Sequence, residues 1–152
     1  MTLKELLSEG KLRPHRTSAK EISDLLKVSE RDLADAAVKG LSTDRSFTIA
    51  YGAILQLATM ALYSSGYKTY GSAHHYTTFQ ALREILPADC RELMDYFDAC
   101  RSKRNVSDYD RAGGITEDAA AEILTEARRF KKTVMDWLKI NHSKLISVNN
   151  IK

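Results

Sequence analysis

No run of apolar residues in this chain approaches the ~20 that a helix needs to cross a bilayer, so a membrane-spanning role is not expected. Met1-Thr2-Leu3-Lys4-Glu5 lacks the apolar segment of a secretory leader, which predicts a cytoplasmic protein. Cysteine is scarce. Cys90 and Cys100 stand ten residues apart in what reads as one helix, too far along it for a disulfide, and are expected to be reduced core residues. They make no Cys-x-x-Cys pair, and the sequence has no convincing strand, repeat or low-complexity segment. Neither sign of charge dominates: the formal net charge is +3, with basic residues interleaved among acids. That balance permits contact with nucleic acid without arguing for it.

What is present is helix. Thr17 and Ser18 with Glu21 have the spacing of a capping box and predict a helix to about Lys27. Ser29 with Asp32 predicts a second, ending at Gly40. From Thr43 to Ser65 the apolar residues (Phe47, Tyr51, Ile54, Leu57, Met60 and Leu62 among them) leave almost no polar face, the mark of a helix at the centre of a bundle. Gly66 to Gly71 reads as a loop, after which Ser72 is the expected cap of a helix carrying Tyr76, Phe79, Leu82 and Leu86. Pro87 breaks the chain and starts an Asp89–Arg104 helix, and Gly113-Gly114 breaks it again. Thr116 caps the last long helix, whose seam is Ile123, Ala127, Phe130, Val134 and Trp137. The expected fold is all-α: an antiparallel up-and-down bundle of four core helices with an extra N-terminal helical pair. The whole chain, 1–152, reads as one domain, with the extension over about 1–40 and the core over about 41–145.

Several chemistries are weak on sequence grounds. Gly66 and Gly71 have phosphate-loop spacing, but Ser72-Ala73 stands where Lys and Ser/Thr are required. His74 and His75 are adjacent, about 100° apart on a helix, and their i+4 positions are Thr78 and Phe79, so no metal site is expected. His75 is expected near Phe79, with His74 hydrogen-bonded across the loop; both could do acid–base work near neutrality. No serine elbow or activated cysteine is apparent, and no cofactor is implied. Arg128-Arg129-Phe130-Lys131-Lys132, with Glu122 and Glu126 upstream, reads as a solvated helix face.

The most informative stretch is Arg101-Ser102-Lys103-Arg104-Asn105, continuing to Tyr109. On a 3.6-residue period Leu93, Phe97, Cys100 and Arg104 share one face, so an arginine stands where the next core residue should be. Such an arginine snorkels, pairs with a carboxylate such as Asp44, or marks a polar site opening from the core.

Three stretches together resemble the HEPN superfamily of helical domains, in particular a small uncharacterised bacterial branch. They are Asp44–Ala53, Gly66–Thr78 and Arg101–Tyr109, and the similarity covers about residues 40 to 140. The resemblance implies an antiparallel bundle that dimerises and often serves in toxin–antitoxin or defence systems, with active members acting as metal-independent ribonucleases. Their motif is an arginine, a polar residue and, a few residues later, a histidine. Arg104 and Asn105 match the first two positions. Tyr109 stands where active members have histidine, and a phenol of ordinary pKa ~10 is a poor base at neutral pH. Tyr109 is better suited to hydrogen bonding or to stacking a base.

Two functions follow as expectations. The first is a non-catalytic module that binds RNA, a nucleotide or a protein partner through Arg101, Arg104, Asn105, Tyr109 and Tyr67. The second is a ribonuclease in which His74 or His75 replaces the missing histidine beside Arg104 and Asn105. The resemblance also implies a homodimer and a nucleotidyltransferase-type antitoxin partner. Asp95, Asp98 and Arg101 could supply self-complementary charge across a two-fold axis.

Overall fold

Helix α3 (Thr43–Ser64) is the axis on which the rest of the chain packs. The computed structural model describes residues 1–109 and 114–146, the side chains of 105–109 excepted. Ser42 caps α3 by accepting the Arg45 N–H, and Phe47, Tyr51, Ile54, Leu57 and Met60 are fully buried along it. By length and composition α3 could cross a membrane, at a mean hydropathy of 1.3, yet 56% of that window is buried inside the fold. Its apolar surface is covered by protein: α2 (Ala19–Ala36) and α6 (Glu117–Asn141) make its largest contacts, and α4 (His74–Ile85) and α5 (Arg91–Tyr109) make the next. The all-α bundle expected from the sequence is the fold found.

The N-terminal region differs from the expected helical pair. A short α1 (Leu3–Ser8) comes first, and then a single helix, α2, spans the predicted break at Ser29. Ser29 does not open a helix because its hydroxyl donates to the Leu26 carbonyl at 2.7 Å, inside the helix and fully buried. α2 ends at Ala36 with Ala37 as its cap, short of Gly40. Nor is it an appendage: Ile22, Leu26, Leu33 and Ala36 belong to the same core as α3. The predicted N-cap at Ser18 is correct, since it accepts the Glu21 N–H at 3.1 Å. Glu21 does not close the reciprocal half of the box. Its carboxylate instead accepts from Thr17 and bonds His15, each at 2.7 Å. Desolvation works to raise the Glu21 pKa, but the hydrogen bonds from His15 and Thr17 outweigh it and hold the carboxyl below its usual range.

Two short strands, not expected from the sequence, pair antiparallel. They are β1 (Leu12–Pro14) and β2 (Tyr67–Thr69), with Leu12 opposite Thr69 and Pro14 opposite Tyr67. Gly66, at φ +93°, ends the turn after α3 in a left-handed conformation, and its carbonyl accepts the His15 N–H at 2.8 Å. The ladder thereby fixes the segment that leads into α4. At the start of α4 the expected Ser72 cap is replaced by Ala73, at φ +61°, with no side-chain cap. A 3-10 turn (Ala88–Cys90) follows Pro87, so α5 begins at Arg91, and it continues through Arg104 to Tyr109. Gly113 lies outside the described residues; Thr116 caps α6 as expected, accepting the Ala119 N–H.

Candidate functional site

The apolar seam of α5 is Met94, Phe97 and Cys100, all buried, with Leu93 at its edge. Phe97 anchors it, with ring centroids 5.9 Å from Phe79 and 5.0 Å from Phe130. One turn further on, the same face carries Arg101 and Arg104. They emerge where the core ends and meet the first turn of α4. Together with Ala73, His74, His75 and Tyr76 they line a pocket of about 250 Å³.

Each side chain in the pocket is held. Arg101 Nε donates to Asp98 Oδ1 at 2.8 Å, which keeps the guanidinium protonated, and its Cζ lies 5.7 Å from the Tyr76 ring centre. Arg104 is half-buried, with Cζ 5.4 Å from the centre of the Tyr51 ring. His74 Nδ1 lies 3.0 Å from the Thr69 hydroxyl, the bond across the loop that its position suggests. His75 Nδ1 lies 3.3 Å from the Tyr51 hydroxyl, and the two rings are 5.8 Å apart. Burial pushes the His75 pKa down, and the positive neighbours Arg104, His74 and Arg101 push it the same way. Burial raises the Tyr51 pKa, so its hydroxyl stays protonated.

The start of α4 adds backbone donors. Its first intrahelical bond runs from the Thr77 N–H to the Ala73 carbonyl, so the N–H groups of His74, His75 and Tyr76 have no acceptor within the helix. A serine or aspartate cap would satisfy one of them, and Ala73 satisfies none. Two guanidiniums, two imidazoles and an uncapped helix N-terminus therefore face one small cavity. Such donors are chemically suited to an anionic oxygen group. No family model, curated protein or solved structure matches the chain.

Of the residues singled out by sequence, Arg101, Arg104, His74 and His75 come together at this pocket. Tyr67 is not among its lining residues; it sits half-buried in β2 opposite Pro14. The side chains of Asn105 and Tyr109 lie outside the described residues. Asp44 accepts the Ile115 N–H at 3.3 Å, tying α3 to the segment that starts α6. Arg104 is only partly enclosed, and it lines the pocket as well as resting near the Tyr51 ring. Sequence reasoning missed Tyr51 and Tyr76 as site residues. The signal was Tyr51 itself: a tyrosine at the centre of an apolar helix must find a partner for its hydroxyl. Among the described residues no group of three or more His, Cys, Asp or Glu side chains converges as a metal site.

Proposed function

We propose that this chain is a HEPN-like helical module that binds RNA through the Arg101–Arg104 pocket. The observation that carries the reading is the convergence of both arginines and both histidines on the N-terminus of α4. The pocket's size favours a polymer over a free nucleotide. At about 250 Å³ it is smaller than the ~300–1,000 Å³ of sites that enclose a whole small ligand, and it suits one phosphate with the rest of the chain lying outside. Tyr76, 42% exposed at the rim, offers a face on which an unpaired base can stack. The homodimer, the toxin–antitoxin or defence setting and the nucleotidyltransferase-type partner belong to the same proposal and rest on the resemblance.

A second reading, metal-independent RNA cleavage, is favoured by one specific observation: both imidazoles line the same pocket as Arg104. In that reaction one histidine takes the proton of the ribose 2′-hydroxyl as its oxygen attacks phosphorus. The other gives a proton to the departing 5′-oxygen, leaving a 2′,3′-cyclic phosphate, while Arg104 bears the charge on the phosphoryl oxygens.

Fluorescence anisotropy with a labelled single-stranded RNA tests the first reading. Arg104→Ala is expected to weaken binding by about tenfold or more, the scale of one charge-assisted contact. Unchanged binding would overturn it. Incubating the same RNA with EDTA tests the second: cleavage by the wild type, lost in a His74→Ala/His75→Ala double variant, supports catalysis, and intact RNA rejects it.

A further inference from the structure

A groove of about 990 Å³ runs between the outer faces of α5 and α6, away from the arginine pocket. The two helices meet mainly through side chains, Phe97 against Phe130, rather than by close backbone approach among the described residues. Leu93, Tyr96, Trp137 and Ile140 are apolar residues lining the groove, and Ile140 is 82% exposed. The lining is also acidic. Asp89, Glu92, Glu122, Glu126 and Asp136 stand around it against a single guanidinium, Arg129. Arg129 pairs with Glu126 at 3.0 Å and Lys132 pairs with Asp136 at 2.9 Å, which leaves Asp89, Glu92 and Glu122 in excess. On a chain of net charge +3 this is a local reversal of sign.

We propose that the groove docks a basic amphipathic helix of a partner protein. An apolar trough between two helices accepts the ridge of a third, with anchors at i, i+3/i+4 and i+7. The surrounding carboxylates select lysine and arginine on the flanks of that ridge and repel acidic helices. A symmetric contact between two copies of this chain is disfavoured, because a two-fold axis through the groove would set the same excess carboxylates against each other. The inference is independent of the RNA reading, since the groove shares no lining residue with the arginine pocket.

Trp137, the chain's single tryptophan, lines the groove and reports on it. The probe is a blocked leucine–lysine peptide about four helical turns long, with a leucine–glutamate peptide of the same pattern as control. The lysine peptide is expected to shift Trp137 emission saturably and to bind at least about tenfold more tightly than the glutamate peptide. Glu92→Lys/Glu122→Lys, checked for retained helicity, should reverse that preference, while Arg104→Ala should leave it unchanged. Equal response to both peptides, no response to either, or an unreversed preference would overturn the proposal. A dimeric mass that becomes monomeric in Ile140→Asp would also overturn it, by assigning the groove to a second copy.

Discussion

The Tyr51 hydroxyl lies 3.3 Å from His75 Nδ1, and Tyr51 is completely buried beneath the half-buried imidazole. One ring nitrogen of His75 is thus committed to the core, leaving Nε2 as the nitrogen available to a ligand. The central helix, through Tyr51, sets the orientation of a side chain that lines the pocket. The arginine beside it also rests on Tyr51, so one core residue supports both side chains.

This arrangement makes binding depend on pH. Burial and the surrounding cations push His75 below the ordinary histidine value of 6.5, so the free protein holds it neutral at pH 7. A bound phosphate supplies the missing negative charge and favours the protonated form. Affinity for a phosphate ester should therefore rise as pH falls toward the lowered value of the free protein, by up to about tenfold per unit for one coupled proton. Stability without ligand runs the other way. The unfolded chain binds the proton more readily, so the contribution of His75 is complete above 6.5 and declines as pH drops from 6.5 toward its lowered folded value. Anisotropy and urea titrations from about pH 7.5 to about pH 5.5 should show both trends, and His75→Gln should weaken both, with His142, whose pKa burial also lowers, keeping part of the stability trend.

Ala73 offers a test of how the first turn of α4 is built. Its φ of +61° is a conformation that costs a residue with a Cβ about 1–2 kcal/mol, and glycine avoids that cost. Glycine also loses about 0.5–1 kcal/mol more chain entropy on folding. The difference leaves Ala73→Gly more stable by about 0.5–1 kcal/mol in urea denaturation, with RNA affinity retained because the backbone donors stay in place. A loss of stability would mean that this turn is not held left-handed in solution.

The bundle was legible because its helices carry their own pattern. α3 is apolar on nearly all sides, and four of the five residues marked as the α6 seam, Ile123, Ala127, Phe130 and Val134, are fully buried. Arg104 was legible for the same reason, as a charge at a core period. The ladder between β1 and β2 was not, because three residues per strand give no alternation to read and its pairing lies in the backbone. Ser29 misled because a serine that bonds its own helix's carbonyl resembles, in sequence, one that starts a helix. The proximity of His75 to Tyr51 is a tertiary fact across 24 positions, and no local spacing encodes it. The two-fold contact through Asp95, Asp98 and Arg101 gains nothing from the structure: Asp95 pairs with Arg83, and Asp98 with Arg101, within the chain.

Phe97 should be the most costly single truncation on α5. Its ring contacts those of Phe79, Tyr96 and Phe130, joining α4, α5 and α6 at one point with no exposed surface. Phe97→Ala removes that junction and leaves a cavity, at an expected cost of about 3–5 kcal/mol in chemical denaturation. Arg101 and Arg104 lie within two turns of it, so RNA affinity should fall with stability. Phe97→Leu, which fills most of the space, should recover much of both.

The two cysteines should be silent in the native protein. Cys100 is 4% exposed, and burial pushes its thiol up to about 11; Cys90, at 8% exposure, is also raised by burial and by the adjacent Asp89 carboxylate. The reactive thiolate is thus a small fraction at mild alkaline pH and is shielded as well. A disulfide-exchange reagent such as dithionitrobenzoate should label neither residue at about pH 8 in native buffer, and both after unfolding in urea. Because the label reaches Cys100 only when α5 leaves the core, its native-state labelling rate should follow opening of the bundle. Phe97→Ala should accelerate it, whereas His75→Gln, which alters only the pocket at the end of the seam, should leave it close to the wild-type rate at neutral pH. Rapid labelling of Cys100 in the untouched protein would show that α5 is not packed against α3 and α6 as described, and the pocket that depends on its last turns would fall with it.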